Sequence, residues 1–108
     1  MPTTTTEEYK QLFITTANDH IQLAESLLSQ IANSPSNEET KEFFRHIHSL
    51  KGSSSVMGYR EISSACDEID SLIHPASDTY QLLPQHIGKI SDLLSQTKQF
   101  VSVLKNQI

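Results

Sequence analysis

The chain has few of the residues on which disulfide scaffolds and nucleotide-binding loops depend. Its 108 residues include one cysteine, three glycines and no tryptophan. Because Cys66 has no second cysteine as a partner, an internal disulfide is excluded and nothing indicates an oxidising compartment. Gly52, Gly58 and Gly88 do not form a glycine-rich phosphate loop, so the sequence offers no site for ATP.

Positive charge is scarce too. The 8 lysines and arginines against 13 aspartates and glutamates give a net charge of −5, which argues against nucleic acid or an anionic membrane as a partner. No stretch approaches the roughly 18 apolar residues of a membrane span, and the first residues lack the basic and apolar segments of a signal peptide. We therefore expect a cytoplasmic protein with no membrane partner.

What the chain has in abundance is apolar residues at helical spacing. This pattern predicts four helices, at about residues 6–33, 37–57, 60–73 and 84–106. Ser36 and Glu39 have the spacing of a capping box at the start of the second helix, and Gly58 is placed to end it. Pro75 interrupts the third helix, and residues 76–83 are predicted as loop or an early helical turn.

One domain of this length can bury a core if the helices cover one another. The last helix carries an apolar seam at alternating spacings of three and four: Ile87, Ile90, Leu94, Thr97, Val101, Leu104 and Ile108. The first helix carries a longer stripe: Tyr9, Leu12, Phe13, Ala17, Ile21, Ala24, Leu27, Leu28 and Ile31. Such a seam could also form a two-chain coiled coil. Short loops between amphipathic helices favour a monomeric all-α protein, an antiparallel up-down-up-down four-helix bundle.

The second helix has two distinct faces in a helical projection. One face surrounds His48 and is predicted to be exposed: Lys41, Phe44, Arg45, Lys51, Gly52 and Ser55. The opposite face is apolar or small and is predicted to pack inward: Phe43, His46, Ile47, Leu50, Ser53, Ser54 and Met57. An exposed imidazole with a near-neutral pKa has a lone pair available for attack on a second macromolecule.

The neighbours of His48 suit a phosphorylated ring. Lys51 and Arg45 lie three residues away on either side, where their charges can approach phosphoryl oxygens. Gly52, four residues on, leaves no side chain beside the ring. A glycine inside a helix costs roughly 0.5 to 1 kcal/mol, and room for a docking partner would explain it.

This segment resembles the histidine-containing phosphotransfer domain of two-component phosphorelays. The family pattern is met in order and without gaps by Phe44, Arg45, His48, Leu50, Lys51, Gly52, Ser53, Ser54 and Gly58. The resemblance implies a four-helix bundle over essentially the whole chain. It also implies that His48 is phosphorylated on the ring nitrogen farther from the main chain.

The same resemblance implies the partners. His48 would exchange a phosphoryl group with the aspartate of a response-regulator receiver domain, or receive it from a hybrid or chemotaxis-type histidine kinase. Receivers carry clustered carboxylates and bind the divalent ion, expected to be magnesium, so this chain is expected to need no metal or cofactor. A chain of 108 residues has no room for a kinase domain as well, so we expect no kinase activity of its own.

An acidic residue that orients the ring is also implied. In chemotaxis kinases a glutamate on the third helix, twenty-two residues after the histidine, has this role. Asp70 stands at that position and Asp67 one turn earlier, but aspartate is one methylene shorter. Glu68 projects to a different face. Whether Asp67 or Asp70 orients His48, or both are solvated surface carboxylates, stays open.

Docking of a receiver is predicted on one exposed surface. It comprises Phe44, Ile47, Ser55, Met57 and Tyr59. Four of the eight cations lie beside it and could attract an acidic partner: Lys41, Arg45, Lys51 and Arg60.

The remaining histidines are predicted to be structural or solvated. His46 lies about 160° around the helix from His48, so the pair cannot chelate one metal ion, and a place at the edge of the core is predicted for it. His20, His74 and His86 show no ligand spacing.

Three other readings of the function compete with a relay intermediate. The chain could be the phosphoacceptor domain of a chemotaxis-type kinase, although its own Met1 start favours a free-standing protein. It could also bind and sequester a receiver without turnover, or be a helical adaptor in which the motif is accidental.

Overall fold

The computed structural model describes residues 6–34, 36–76 and 79–106. Its elements are α1 (Thr6–Asn33), α2 (Asn37–Met57), α3 (Arg60–Ser71), β1 (Ile73–Ala76), β2 (Thr79–Leu82), a 3₁₀ turn (Pro84–His86) and α4 (Ile87–Asn106). Each helix packs against two others: α1 and α3 both contact α2 and α4. The connections α1–α2 and α2–α3 are short, and the longer connection α3–α4 carries the two strands. The four helices form an antiparallel bundle, and the predicted fold class is confirmed.

The core is mainly aliphatic and is formed by residues from all four helices. Its largest fully buried side chains include Ile21, Phe43, Ile47, Leu50, Ile62, Ile69, Ile90 and Leu94. Two buried hydroxyls interrupt it without leaving an unpaired group. Ser54 Oγ donates to the Leu50 carbonyl at 2.7 Å, and Thr97 Oγ1 donates to the Leu93 carbonyl at 2.8 Å.

Both ends of α2 are fixed by local hydrogen bonds. The Glu39 backbone N–H donates to Ser36 Oγ at 3.4 Å, as the capping box predicts. At the other end Gly58 has φ +78°, a conformation that favours glycine. The next residue, Tyr59, donates its N–H to the Ser54 carbonyl at 2.9 Å. The motif therefore sits on a helix with defined ends, not on a loop.

The connection between α3 and α4 differs from the sequence expectation. The helix predicted to reach Ile73 ends at Ser71, and residues expected as loop or a helical turn form strand β2. β1 and β2 pair antiparallel, with Ile73 opposite Leu82 and Ala76 opposite Thr79. Pro75 cannot continue a helix and disfavours helical backbone at the residue before it. Ile73 nevertheless stays in the core, because the strand also turns it inward.

Two residues of the predicted α1 stripe are not in the core. Tyr9 and Leu12 are 54% and 65% exposed, whereas Phe13, Ala17, Ile21 and the later members are buried or half-buried. The first turns of α1 are therefore less covered than the rest. Ile108, the last residue of the predicted α4 seam, lies outside the described residues. No described helix is both long and apolar enough to span a membrane.

Candidate functional site

The faces of α2 follow the helical projection, except that Phe44 and Lys51, which were predicted to be exposed, are half-buried. Phe43, Ile47 and Leu50 are 1% exposed or less, while His48 and Gly52 are exposed. Ile47 therefore belongs to the core, and its inclusion in the predicted docking surface was wrong. The buried face anchors α2 against its neighbours, so His48 stands on a rigid support rather than on a mobile segment.

The His48 ring stacks on Phe44, with the ring centroids 5.7 Å apart and the planes 17° from parallel. No described side chain donates to its ring nitrogens or accepts from them, and it forms no ion pair with the described residues. Both nitrogens are thus free of partners within the described chain, as an attacking imidazole requires.

Lys51, one turn from His48, is bound to α3. Its Nζ lies 2.8 Å from Asp67 Oδ1 and 3.6 Å from Asp70 Oδ2. The hydrogen bond to Asp67 raises the pKa of Lys51 above its usual value, and the charge of Asp70 adds to this shift. The structure therefore joins both candidate orienting carboxylates to Lys51, while neither is hydrogen-bonded to His48.

The second carboxylate oxygen of Asp70 is unusual. Asp70 Oδ1 is buried and has no hydrogen-bond partner among the described residues, although the side chain as a whole is 22% exposed. Buried carboxylate oxygens are normally hydrogen-bonded. Asp70 thus has an unused acceptor beside the ammonium of Lys51.

The other two candidates on α2 lie at the surface. The Arg45 guanidinium is 3.7 Å from a Glu42 carboxylate oxygen, and the two side chains are 63% and 51% exposed. A pair this exposed contributes little to stability, so Arg45 can leave it easily. A Cβ atom built on Gly52 would meet nothing within 4 Å. The space beside His48 is therefore open, and no internal clash explains the glycine.

His46 faces the opposite side of α2 from His48. Its Nδ1 lies 2.9 Å from Nδ1 of His20 on α1, so one of the two atoms carries a proton and donates it to the other. His46 Nε2 is also 3.8 Å from Glu42 Oε1. His46 is half-buried, as predicted, and its partner across the helix interface was not foreseen because the two lie 26 residues apart.

The described residues contain neither a reactive thiol nor a cluster of metal ligands. Burial raises the pKa of the Cys66 thiol to about 12, so it stays protonated and unreactive near neutral pH. The described residues also contain no group of three or more His, Cys, Asp or Glu that could hold a metal ion.

Comparison with known families identifies the domain. The family model of the Hpt domain matches residues 8–100. The chain belongs to the Hpt domain family. An Hpt domain is a histidine phosphotransfer module of phosphorelays, and the match covers α1 from its third residue, all of α2 and α3, and α4 up to residue 100.

Individual relatives of this Hpt domain are distant. The chain is 26% identical over 80 residues, 73% of its length, to the chemotaxis protein CheA of Listeria monocytogenes. It is 28% identical over 68 residues, 62% of its length, to the chemotaxis protein CheA of Halobacterium salinarum. The matched segments cover only 13% and 10% of these two relatives. No solved structure matches significantly.

Three contacts in the Hpt domain were missed by the sequence analysis. The Phe44–His48 stack has a sequence signal, since residues four apart are neighbours on a helix. The Lys51–Asp67 ion pair and the His20–His46 hydrogen bond join different helices. Each depends on how two helices are rotated against each other, which the sequence pattern does not fix.

Proposed function

We propose that this protein is a phosphorelay intermediate, in which His48 accepts a phosphoryl group and passes it to a receiver aspartate. The observation that carries the proposal is an exposed imidazole with no hydrogen bond to the described residues, standing between the Phe44 ring and the open space at Gly52. If His48 were only a solvated surface residue, a cation one turn away and a glycine four residues on would serve no purpose beside it. The Hpt family supplies the reaction class.

Transfer proceeds by attack of one ring nitrogen of His48 on phosphorus. Nδ1 keeps its proton, and the lone pair of Nε2 forms the new P–N bond. The P–O bond to the receiver aspartate breaks, and the carboxylate leaves with the electron pair. Reversal of the same step delivers the group to a second receiver. Charge on the equatorial oxygens must be neutralised, and the receiver's divalent ion supplies part of that charge.

Lys51 supplies charge from this side only if it loosens its hold on α3. A phosphoryl group on His48 carries about two negative charges near neutral pH, comparable with the pair of carboxylates that Lys51 now contacts. Lys51 is 32% exposed, so its ammonium can turn toward solvent. We propose that Lys51 is shared between Asp67 and the phosphoryl group, and that Arg45 acts as a weaker second cation.

A receiver would dock along the exposed side of α2 and the start of α1. Beyond Gly52 lies an apolar groove between these helices, lined by Tyr9, Leu12, Phe13, Thr16, Ser53, Val56 and Met57. Val56, two turns after His48, is 87% exposed, and Leu12 is 65% exposed. These residues replace the buried Ile47 as the apolar part of the docking surface. Ser55 stays part of it, since it is exposed.

The test is transfer of label from a phosphorylated receiver. The protein is incubated with several ³²P-labelled phospho-receivers and magnesium, and the product is examined for label that is acid-labile and base-stable. We expect label on the wild type and none on His48→Gln. A folded wild type that takes no label from any receiver or kinase contradicts the relay.

A second candidate is favoured by the similarity to two CheA proteins. In that case the domain accepts its phosphoryl group from a chemotaxis-type kinase catalytic domain and ATP. Labelling by such a kinase, without reverse transfer from phospho-receivers, would favour it over the relay. A module that only sequesters a receiver would bind it equally well with His48→Gln and take no label in any arm.

A further inference from the structure

The His48 ring rests against a neighbour that is itself fixed. Phe44 lies four residues earlier on α2, where side chains meet on the helix surface. Its ring is half-buried and packs against the hydrophobic core. The His48 ring stacks on it at 5.7 Å with the planes 17° from parallel. An exposed side chain is thus held against an anchored one.

Nothing else described in the chain orients this ring. Its nitrogens have no hydrogen-bond partner among the described residues. The two acidic residues of α3 placed nearest to that role, Asp67 and Asp70, contact the ammonium of Lys51 instead. A carboxylate therefore does not fix the imidazole here, and the aromatic contact is left to do so.

We propose that Phe44 is the positioning residue of His48, and that ring stacking fixes the plane of the imidazole for phosphoryl transfer. The proposal rests on the proposed function of His48 and adds a residue to it. Offset stacking of two rings favours a near-parallel geometry and disfavours rotation of the exposed ring about its Cβ–Cγ bond. Phe44 also covers one face of the imidazole, so a partner cannot approach from that face.

The plane matters because the lone pair that attacks phosphorus lies in it. In-line transfer requires that Nε2, phosphorus and the leaving carboxylate oxygen be nearly collinear. The receiver fixes the phosphorus and the leaving oxygen, and α2 fixes the base of His48. The remaining freedom is the rotation of the ring, which the Phe44 stack restricts.

The test replaces the aromatic platform and keeps an apolar side chain. We expect Phe44→Leu to lower the saturating rate of transfer from a phospho-receiver by about threefold to tenfold, as for a misplaced reacting group. The concentration for half-maximal rate should change much less. Phe44→Tyr keeps an aromatic ring at this position and should transfer at the wild-type rate. Phe100→Leu, which removes another half-buried aromatic packed on the core, should leave the rate unchanged.

Two further measurements separate positioning from loss of structure or of docking. Phosphoramidate is a small donor that reaches the ring without docking. Its P–N bond to ammonia breaks as the bond to the ring nitrogen forms. Phe44→Leu should react with it at the wild-type rate. In NMR spectra of the unphosphorylated protein, the His48 ring should show one orientation with contacts to the Phe44 ring, and rotational averaging in Phe44→Leu.

The proposal is overturned if Phe44→Leu keeps the wild-type saturating rate, or changes only the half-maximal concentration. It is also overturned if the His48 ring is equally ordered in both proteins. The NMR measurement needs no receiver, so it decides whether Phe44 orders His48 even if the wild type takes no label, a result that would contradict only the proposed function.

Discussion

Two histidines stand two residues apart on α2 and have opposite surroundings. His46 is half-buried against α1, and its Nδ1 shares a proton with Nδ1 of His20 at 2.9 Å. His48 is exposed, stacks on Phe44 and has no hydrogen bond to the described residues. The hydrogen bond to His20 occupies a ring nitrogen of His46, which is then not available to attack phosphorus. The comparison shows that surroundings, rather than residue type or helix, distinguish the histidine proposed to react from the half-buried one.

The same contrast extends to the glycine and the acidic residues nearby. Toward α1, the contacts of His46 join two helices and contribute to stability. On the solvent side, the space at Gly52 beside His48 is open, and the ammonium of Lys51 is bound by Asp67 of α3. One side of α2 packs against α1, and the other is the side on which we propose that a receiver docks. This division predicts that stability and transfer respond to different substitutions.

The largest expected effect separates the two histidines. His48→Gln should abolish phosphorylation and change the free energy of unfolding by less than about 0.5 kcal/mol, as is usual for a surface substitution. His46→Gln should still accept label but lose about 1 kcal/mol of stability, because His20 loses its hydrogen-bond partner. Urea unfolding and the phospho-receiver assay measure the two quantities on the same samples. If His46→Gln also lost transfer, the division between the two faces would be wrong.

A smaller effect is expected for Gly52→Ala, which should raise the stability of the protein but lower the rate of transfer. An alanine methyl at this position meets nothing within 4 Å, so Gly52→Ala should stabilise α2 by about 0.5 to 1 kcal/mol. The same methyl fills the space one turn from His48. We expect it to slow transfer from a receiver by about tenfold, because a partner displaced by a methyl group loses the in-line geometry.

Gly88 provides the matched control for this substitution. It is an exposed glycine in the first turn of α4, and a Cβ atom there also meets nothing within 4 Å. Gly88→Ala should not reduce stability and should leave transfer unchanged. Wild-type transfer by Gly52→Ala would show that the gap beside His48 is not used by the partner.

The sequence was sufficient for the helices and for the face on which His48 lies. Apolar spacing places Phe43, Ile47 and Leu50 inward, and capping residues mark both ends of α2. These features are predictable because they are local and because the helical spacing of apolar residues recurs over many residues. The order of residues from Phe44 to Gly58 was enough to indicate the Hpt domain, and the family match agrees with it.

The parts that could not be predicted depend on contacts between elements. The hairpin at 73–82 has strands of four residues, too short for a periodic signal. The resemblance to chemotaxis kinases placed Asp67 and Asp70 near the site, but whether they reach His48 or Lys51 depends on the rotation of α3 against α2. The exposure of Tyr9 and Leu12 depends on which helices extend beside the start of α1.

The smallest expected effect is the pH dependence of stability that arises from the half-buried pair His20 and His46. Burial lowers the pKa of His20, and the neighbouring His46 lowers it further, while Asp19 raises it. In the unfolded chain this imidazole titrates near the ordinary value of about 6.5. At a pH between the two values the unfolded state binds more protons than the folded state. The stability contributed by His20 is therefore complete above pH 6.5 and is lost as pH falls through the lower folded value.

We expect the free energy of unfolding to fall more steeply between pH 7.5 and pH 5 in the wild type than in His20→Gln. The difference should be less than about 1 kcal/mol, because the pair is only partly buried and water screens its charges. Acidic residues titrate in both proteins, so subtracting the two curves isolates the imidazole. Parallel curves for the wild type and His20→Gln would mean that the His20–His46 contact does not discriminate against the doubly protonated pair.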